Sequence, residues 1–76
     1  MKLKNNNETI SIKFGEHLKD LRKYTHISQK EFAARLGVPE STYANWEQGR
    51  REPSIADILA IIRTLEIDAN ELFDID

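Results

Sequence analysis

The sequence predicts an all-α fold, a compact domain of five short helices. Three observations predict it. Apolar residues recur at helical spacing, as at Phe14, Leu18 and Leu21. Capping signals stand where helices should begin, at Ser28 with Glu31, Ser54 with Asp57, and Asp68 with Glu71. Glycines stand where helices should stop, at Gly37 and Gly49.

Each element follows in order. Residues 1–11 are polar and Asn-rich without helical period, and form either an extended arm or a disordered one. Residues 12–76 form the folded domain. Helix 1 is expected from Ile12 to Tyr24, with Lys13, Glu16, Lys19, Asp20 and Lys23 on its wet faces. Thr25, His26 and Ile27 break the pattern. Helix 2 opens with a reciprocal capping box, the Ser28 hydroxyl accepting a backbone N–H and Glu31 reaching back. It buries Phe32, Ala33 and Leu36, and ends at Gly37. Helix 3 is expected to begin at Pro39, whose missing N–H suits a first helical turn. Tyr43 and Trp46 should face inward. Helix 4 follows Pro53 and is the most apolar element, with Ile55, Ile58, Leu59, Ile61, Ile62 and Leu65, so it is expected to be central. Asp68 caps a last short helix that packs back through Leu72 and Phe73.

Composition narrows the function classes. Seventy-six residues make one domain at most, with a modest core. The chain has no cysteine, so disulfides and thiolate metal sites are excluded. No apolar run is long enough to span a membrane, and the first residues do not resemble a signal peptide, so a cytoplasmic protein is expected. Catalysis is not expected: there is no Ser/His/Asp set, no phosphate loop and no paired carboxylate arrangement. His17 and His26 lack partners at metal-ligand spacing, and no cofactor is implied. The net charge of −2 is unusual for a nucleic-acid binder, but it is unevenly spread. Five acids and no base fall between Glu66 and Asp76, and the remainder carries +3. Local potential, not the whole-chain sum, attracts phosphates.

Helix 3 carries the functional signal. Two short helices flank Gly37-Val38, and a turn of this kind sets them at roughly 90–120°. The second can then project while the first braces it, and an α-helix fits the major groove of B-DNA. Glu40, Ser41, Ala44, Asn45 and Gln48 fall on the side away from Tyr43 and Trp46. Asn can bond bidentately to adenine, Glu can accept from cytosine N4, and Ser can serve either. For Glu40 the competing reading is a favourable charge at a helix N-terminus.

The runs Ser28-Gln29-Lys30-Glu31-Phe32-Ala33, Leu36-Gly37-Val38 and Trp46-Glu47-Gln48-Gly49-Arg50-Arg51-Glu52-Pro53 resemble the lambda-type repressor and Cro helix-turn-helix family. The resemblance spans about Phe14 to Phe73. It implies a five-helix lambda-repressor-like fold, binding to double-stranded DNA as a homodimer, and transcriptional regulation, with repression the expected sign. It implies that Gln29 contacts a phosphate and braces helix 3, and that Glu40, Ser41 and Asn45 read bases. Gln48, Arg50 and Arg51 would grip the backbone, and Arg22 with Glu47 would form a structural ion pair. Pro39 departs from the family's usual Ser or Thr, whose hydroxyl caps helix 3. The rival class is a protein-interaction module, an antitoxin or antirepressor, working through helix 4 and the Leu72-Phe73 end.

Overall fold

The computed structural model describes residues 5–75 and contains five helices there: α1 (Asn5–Tyr24), α2 (Gln29–Leu36), α3 (Glu40–Glu47), α4 (Ile55–Leu65) and α5 (Ala69–Leu72). No strand occurs among the described residues. Met1 to Lys4 of the expected arm, and Asp76, lie outside them.

The helix starts depart from expectation at three points. Helix α1 begins at Asn5, not Ile12, so Asn5 to Ser11 are helical and not an extended or unstructured arm. Asn is a poor helix former, and tertiary contacts just downstream override that propensity. The Ser11 hydroxyl donates to Glu52 Oε2 at 2.6 Å, and Ile12 lies against Gly49 so closely that a Cβ there would overlap the Ile12 backbone. Helix α3 begins at Glu40, with Pro39 as its N-cap in extended geometry and no side-chain capping bond. Helix α2 has only half of its box. Glu31 N–H donates to Ser28 Oγ at 3.0 Å, but the Glu31 carboxylate accepts from Arg35 Nη2 at 2.8 Å, one turn on, instead of reaching back. The reciprocal box is complete at α4, between Ser54 and Asp57.

The core joins α1, α2 and α3. Phe14, Leu18, Phe32, Ala33, Tyr43 and Trp46 are buried together, with Ile61 from α4 and Leu72 from α5 closing one end. Edge-on aromatic packing runs from Phe32 to Tyr43, with ring centroids 5.1 Å apart, and from Tyr43 to Trp46 at 5.8 Å. Helix α1 can sit this close to the end of α3 because residue 15 is glycine. Any Cβ there would overlap the carbonyl oxygens of Trp46 and Glu47.

Helix α4 is not the central element. Ile61 is its single fully buried residue, while Ile55 is 79% and Leu59 46% exposed. Apolar content does not decide depth here: most of the fully buried side chains come from α1, α2 and α3, and Ile58, Ile62 and Leu65 of α4 pack against them only partly buried. Phe73 likewise stacks on Phe14 with centroids 5.9 Å apart yet stays half exposed. His17, partly buried, ties α1 to α5 by donating from Nε2 to the Glu71 carbonyl at 2.7 Å.

Candidate nucleic-acid interface

The site grows from the turn between α2 and α3. Gly37 ends α2 in the left-handed region, at φ 77°, where a side chain is strained. Its N–H bonds back to the Ala34 carbonyl, and the Val38 N–H bonds to that of Ala33. The chain then reverses through Pro39 into α3. That helix is eight residues long, and Tyr43, Trp46 and Glu47 fix its inner side in the core. Its outer side follows from 3.6-residue periodicity. Glu40, Ser41 and Gln48 are exposed, and Ala44 and Asn45 are half-buried. Thr42, also half-buried, flanks the same surface and was not among the expected residues. A polar, short-chained surface of this size can be laid against base edges without burying an unpaired charge, except at Glu40.

Beyond α3 the chain turns at Gly49, φ 76°. The N–H groups of Arg50 and Arg51 both point back to the Asn45 carbonyl, at 2.9 and 3.4 Å. This holds the two exposed arginines beside the C-terminal end of α3. The Ser11–Glu52 hydrogen bond fixes the next residue from the α1 side. Nothing in the local sequence signals that bond, because its partners stand 41 positions apart.

The inner anchor is a buried ion pair. Arg22 Nε donates to Glu47 Oε2 at 2.6 Å and Arg22 Nη2 to Glu47 Oε1 at 3.2 Å, while Nη1 donates to the Ile27 carbonyl at 2.7 Å. The Glu47 side chain is 2% exposed. Burial by itself would raise the Glu47 pKa. The hydrogen bonds from Arg22 and Gln29, with the nearby Tyr43 hydroxyl, outweigh it and hold the carboxyl below the ordinary value. The same pairing raises the Arg22 guanidinium against its own burial. Burial, reinforced by Glu47, pushes the Tyr43 hydroxyl far above its usual range, and that hydroxyl completes no hydrogen bond among the described residues.

Gln29 belongs to both sides. It is the first residue of α2, half-buried, and its Nε2 donates to Glu47 Oε1 at 2.8 Å. The structure therefore gathers Gln29, Ser41, Asn45, Gln48, Arg50 and Arg51 around the α2–α3 unit, with Glu40 at the exposed start of α3. A surface depression of about 220 Å³ runs from Ile10 and Phe14 of α1 past Phe73 and reaches the site only at Arg51, and a second, of about 310 Å³, lies between α1 and the chain's C-terminal part; both are open to solvent. Among the described residues no cluster of three His, Asp or Glu side chains is placed to hold a metal ion, and no helix is long and apolar enough to cross a membrane.

Comparison with known proteins agrees with this geometry. A helix-turn-helix family model matches residues 18–72. The control protein C.MunI of a Mycoplasma species is 40% identical over 65 residues, covering 84% of this chain and 88% of that protein. The uncharacterized HTH-type transcriptional regulator YqaE of Bacillus subtilis (strain 168) is 32% identical over 59 residues, 78% of this chain, which spans about half (51%) of that relative. The crystal structure of the restriction-modification controller protein C.AhdI from Aeromonas hydrophila superposes with a TM-score of 0.78 at 35% identity. It covers 82% of this chain and 94% of its own. By fold, by motif and by relatives, the chain belongs to the lambda-repressor and Cro type of helix-turn-helix family and is a DNA-binding transcription regulator.

Proposed function

We propose that this regulator acts as a sequence-specific repressor of the controller type, binding a palindromic operator as a homodimer with α3 in the major groove. The observation that carries this reading is the two-sidedness of α3. Its inner side is locked into the core at Tyr43, Trp46 and Glu47, and its outer side presents Ser41 and Gln48 to solvent with the half-buried Asn45 between them. In this reading Ser41 and Asn45 bond to base edges, and Glu40 accepts from a cytosine amino group. Gln29, Gln48, Arg50 and Arg51 fix register on the phosphates. The name of the relative C.AhdI, a restriction-modification controller matched over nearly its whole length, supports the controller type.

The homodimer reading rests on α4. Ile55 and Leu59 stand one turn apart and exposed, and Phe73, after α5, adds a half-exposed ring. Exposed apolar surface of this kind marks association. A two-fold assembly would place its α3 helices about 34 Å apart, matching successive major grooves. The same strip equally suits a different protein as partner, which is the antitoxin or antirepressor reading.

Selection of bound sequences from random duplex DNA separates the two. A palindromic consensus, with half-sites about one helical turn apart, is the expected result. No enrichment over several rounds would overturn the operator-binding reading in favour of the protein partner.

A further inference from the structure

Glu47 does more than pair with Arg22. Its Oε1 accepts from both Arg22 Nη2 and Gln29 Nε2, and its Oε2 accepts from Arg22 Nε. A carboxylate has no proton to give, so it fixes which end of the Gln29 amide faces inward. The NH₂ must point toward Glu47. One of its two N–H bonds is used there, and the second projects away from the buried pair. Gln29 is also the first residue of α2, ahead of that helix's first intrahelical bond, from Phe32 N–H to the Ser28 carbonyl at 2.9 Å. The backbone N–H groups of Gln29 and Lys30 therefore lie in the turn whose donors face outward.

We propose that Glu47 is a positioning residue for DNA binding: it orients the Gln29 amide so that its second N–H joins the α2 N-terminus in gripping one phosphate. This rests on the reading of Gln29 as a phosphate contact. The geometry supplies what that contact needs. A free glutamine on a helix end samples several rotamers and both amide orientations, and half of those present a carbonyl oxygen to the phosphate, which repels it. The carboxylate removes that half before DNA arrives. Since Glu47 ends α3 and Gln29 begins α2, the bond also fixes the phosphate grip relative to the base-reading surface.

The test is a double-mutant cycle on operator affinity, with the duplex recovered by selection, using wild type, Gln29→Ala, Glu47→Gln and the double variant. Gln29→Ala is expected to weaken binding about tenfold. Glu47→Gln should weaken it by a similar factor, and should add nothing further in the Gln29→Ala background. If Glu47→Gln weakens binding by the same factor in both backgrounds, its role is structural only and the proposal falls while the Gln29 reading stands. If Gln29→Ala binds as wild type, both fall. Glu47→Gln leaves Arg22 buried opposite a neutral amide, so a second measurement is made on the wild-type protein. In the side-chain amide spectrum of free wild type, one Gln29 proton should be protected from solvent exchange, and the other should shift on adding the duplex. Two freely exchanging protons, or no shift with DNA, would overturn the proposal.

Discussion

Helices α3 and α4 invert the usual relation between hydrophobicity and burial. Helix α3 is polar along much of its length, yet three of its eight residues are buried. Helix α4 is the apolar one, yet only Ile61 is fully buried and Ile55 and Leu59 stand in solvent. Their ends are inverted too. Helix α4 carries a complete Ser54–Asp57 capping box, whereas α3 starts at Pro39 with no side-chain cap. Helix α3 is held from beneath, by Tyr43, Trp46 and the Arg22–Glu47 pair, and so can leave its other side free. Helix α4 is well made on its own but incompletely covered. Ile58, Ile62 and Leu65 of α4 pack against the core, while Ile55 and Leu59 are left uncovered. In the proposed reading, α3 offers chemistry to a nucleic acid and α4 offers area to a protein.

The largest expected effect breaks the support under α3. Arg22→Ala leaves the Glu47 carboxylate buried without its guanidinium, and should cost on the order of 3–5 kcal/mol in denaturant unfolding. Stability equal to wild type would mean that α3 does not depend on the pair. Acid probes the same support. The folded-state pKa of Glu47 is lowered, so its contribution is full above the ordinary carboxylate value, near 4.3, and is lost as pH falls through the lower folded value. Unfolding free energies measured from pH 7 down to pH 3 should fall less in Glu47→Gln than in wild type. Parallel profiles would remove Glu47 from the acid response.

The next effect concerns the close approach of α1. Gly15→Ala puts a methyl group against two backbone carbonyls that cannot rotate away, and should destabilise by about 1–3 kcal/mol. An unchanged melting temperature would show that α1 can shift off α3. On the outer side the prediction changes kind. Asn45→Ala should leave unfolding untouched but weaken operator binding by about 1–3 kcal/mol and relax preference at one base position. Unaltered discrimination would take Asn45 out of the reading surface. The smallest effect sharpens the account of α4. Glu66 caps that helix at φ 58°, a left-handed conformation that costs a side-chain-bearing residue about 1 kcal/mol. Glu66→Gly should therefore stabilise the fold by about that much, seen as a higher melting temperature, and leave DNA affinity alone.

Much of this architecture was legible in the sequence, for local physical reasons. Ser54, Asp68, Gly37 and Gly49 act within one helical turn, so their spacing alone announces them. The motif from Ser28 to Pro53 carried the α2–α3 unit, and the wider family resemblance carried the Arg22–Glu47 pair. What was not legible depends on partners far apart in the chain. Asn5 to Ser11 have no apolar period, and their helix is continued from contacts made by Ser11 and Ile12 with the loop after α3. The Gln29–Glu47 bond spans 18 positions. The exposure of Ile55 and Leu59 depends on which helices reach the core, a question that the apolar count of α4 does not answer. His26 adopts φ 62° in the α1–α2 turn without any glycine to signal it.

The contrast between α3 and α4 is tested most directly by amide spectra of the isotope-labelled protein titrated with the selected duplex. Perturbations are predicted at Gln29, Ser41, Asn45, Gln48, Arg50 and Arg51, with Ile55, Leu59 and Phe73 responding to protein concentration and not to DNA. Perturbation by DNA centred on Ile55, Leu59 and Phe73, with α3 silent, would contradict the assignment of α3 as the reading helix.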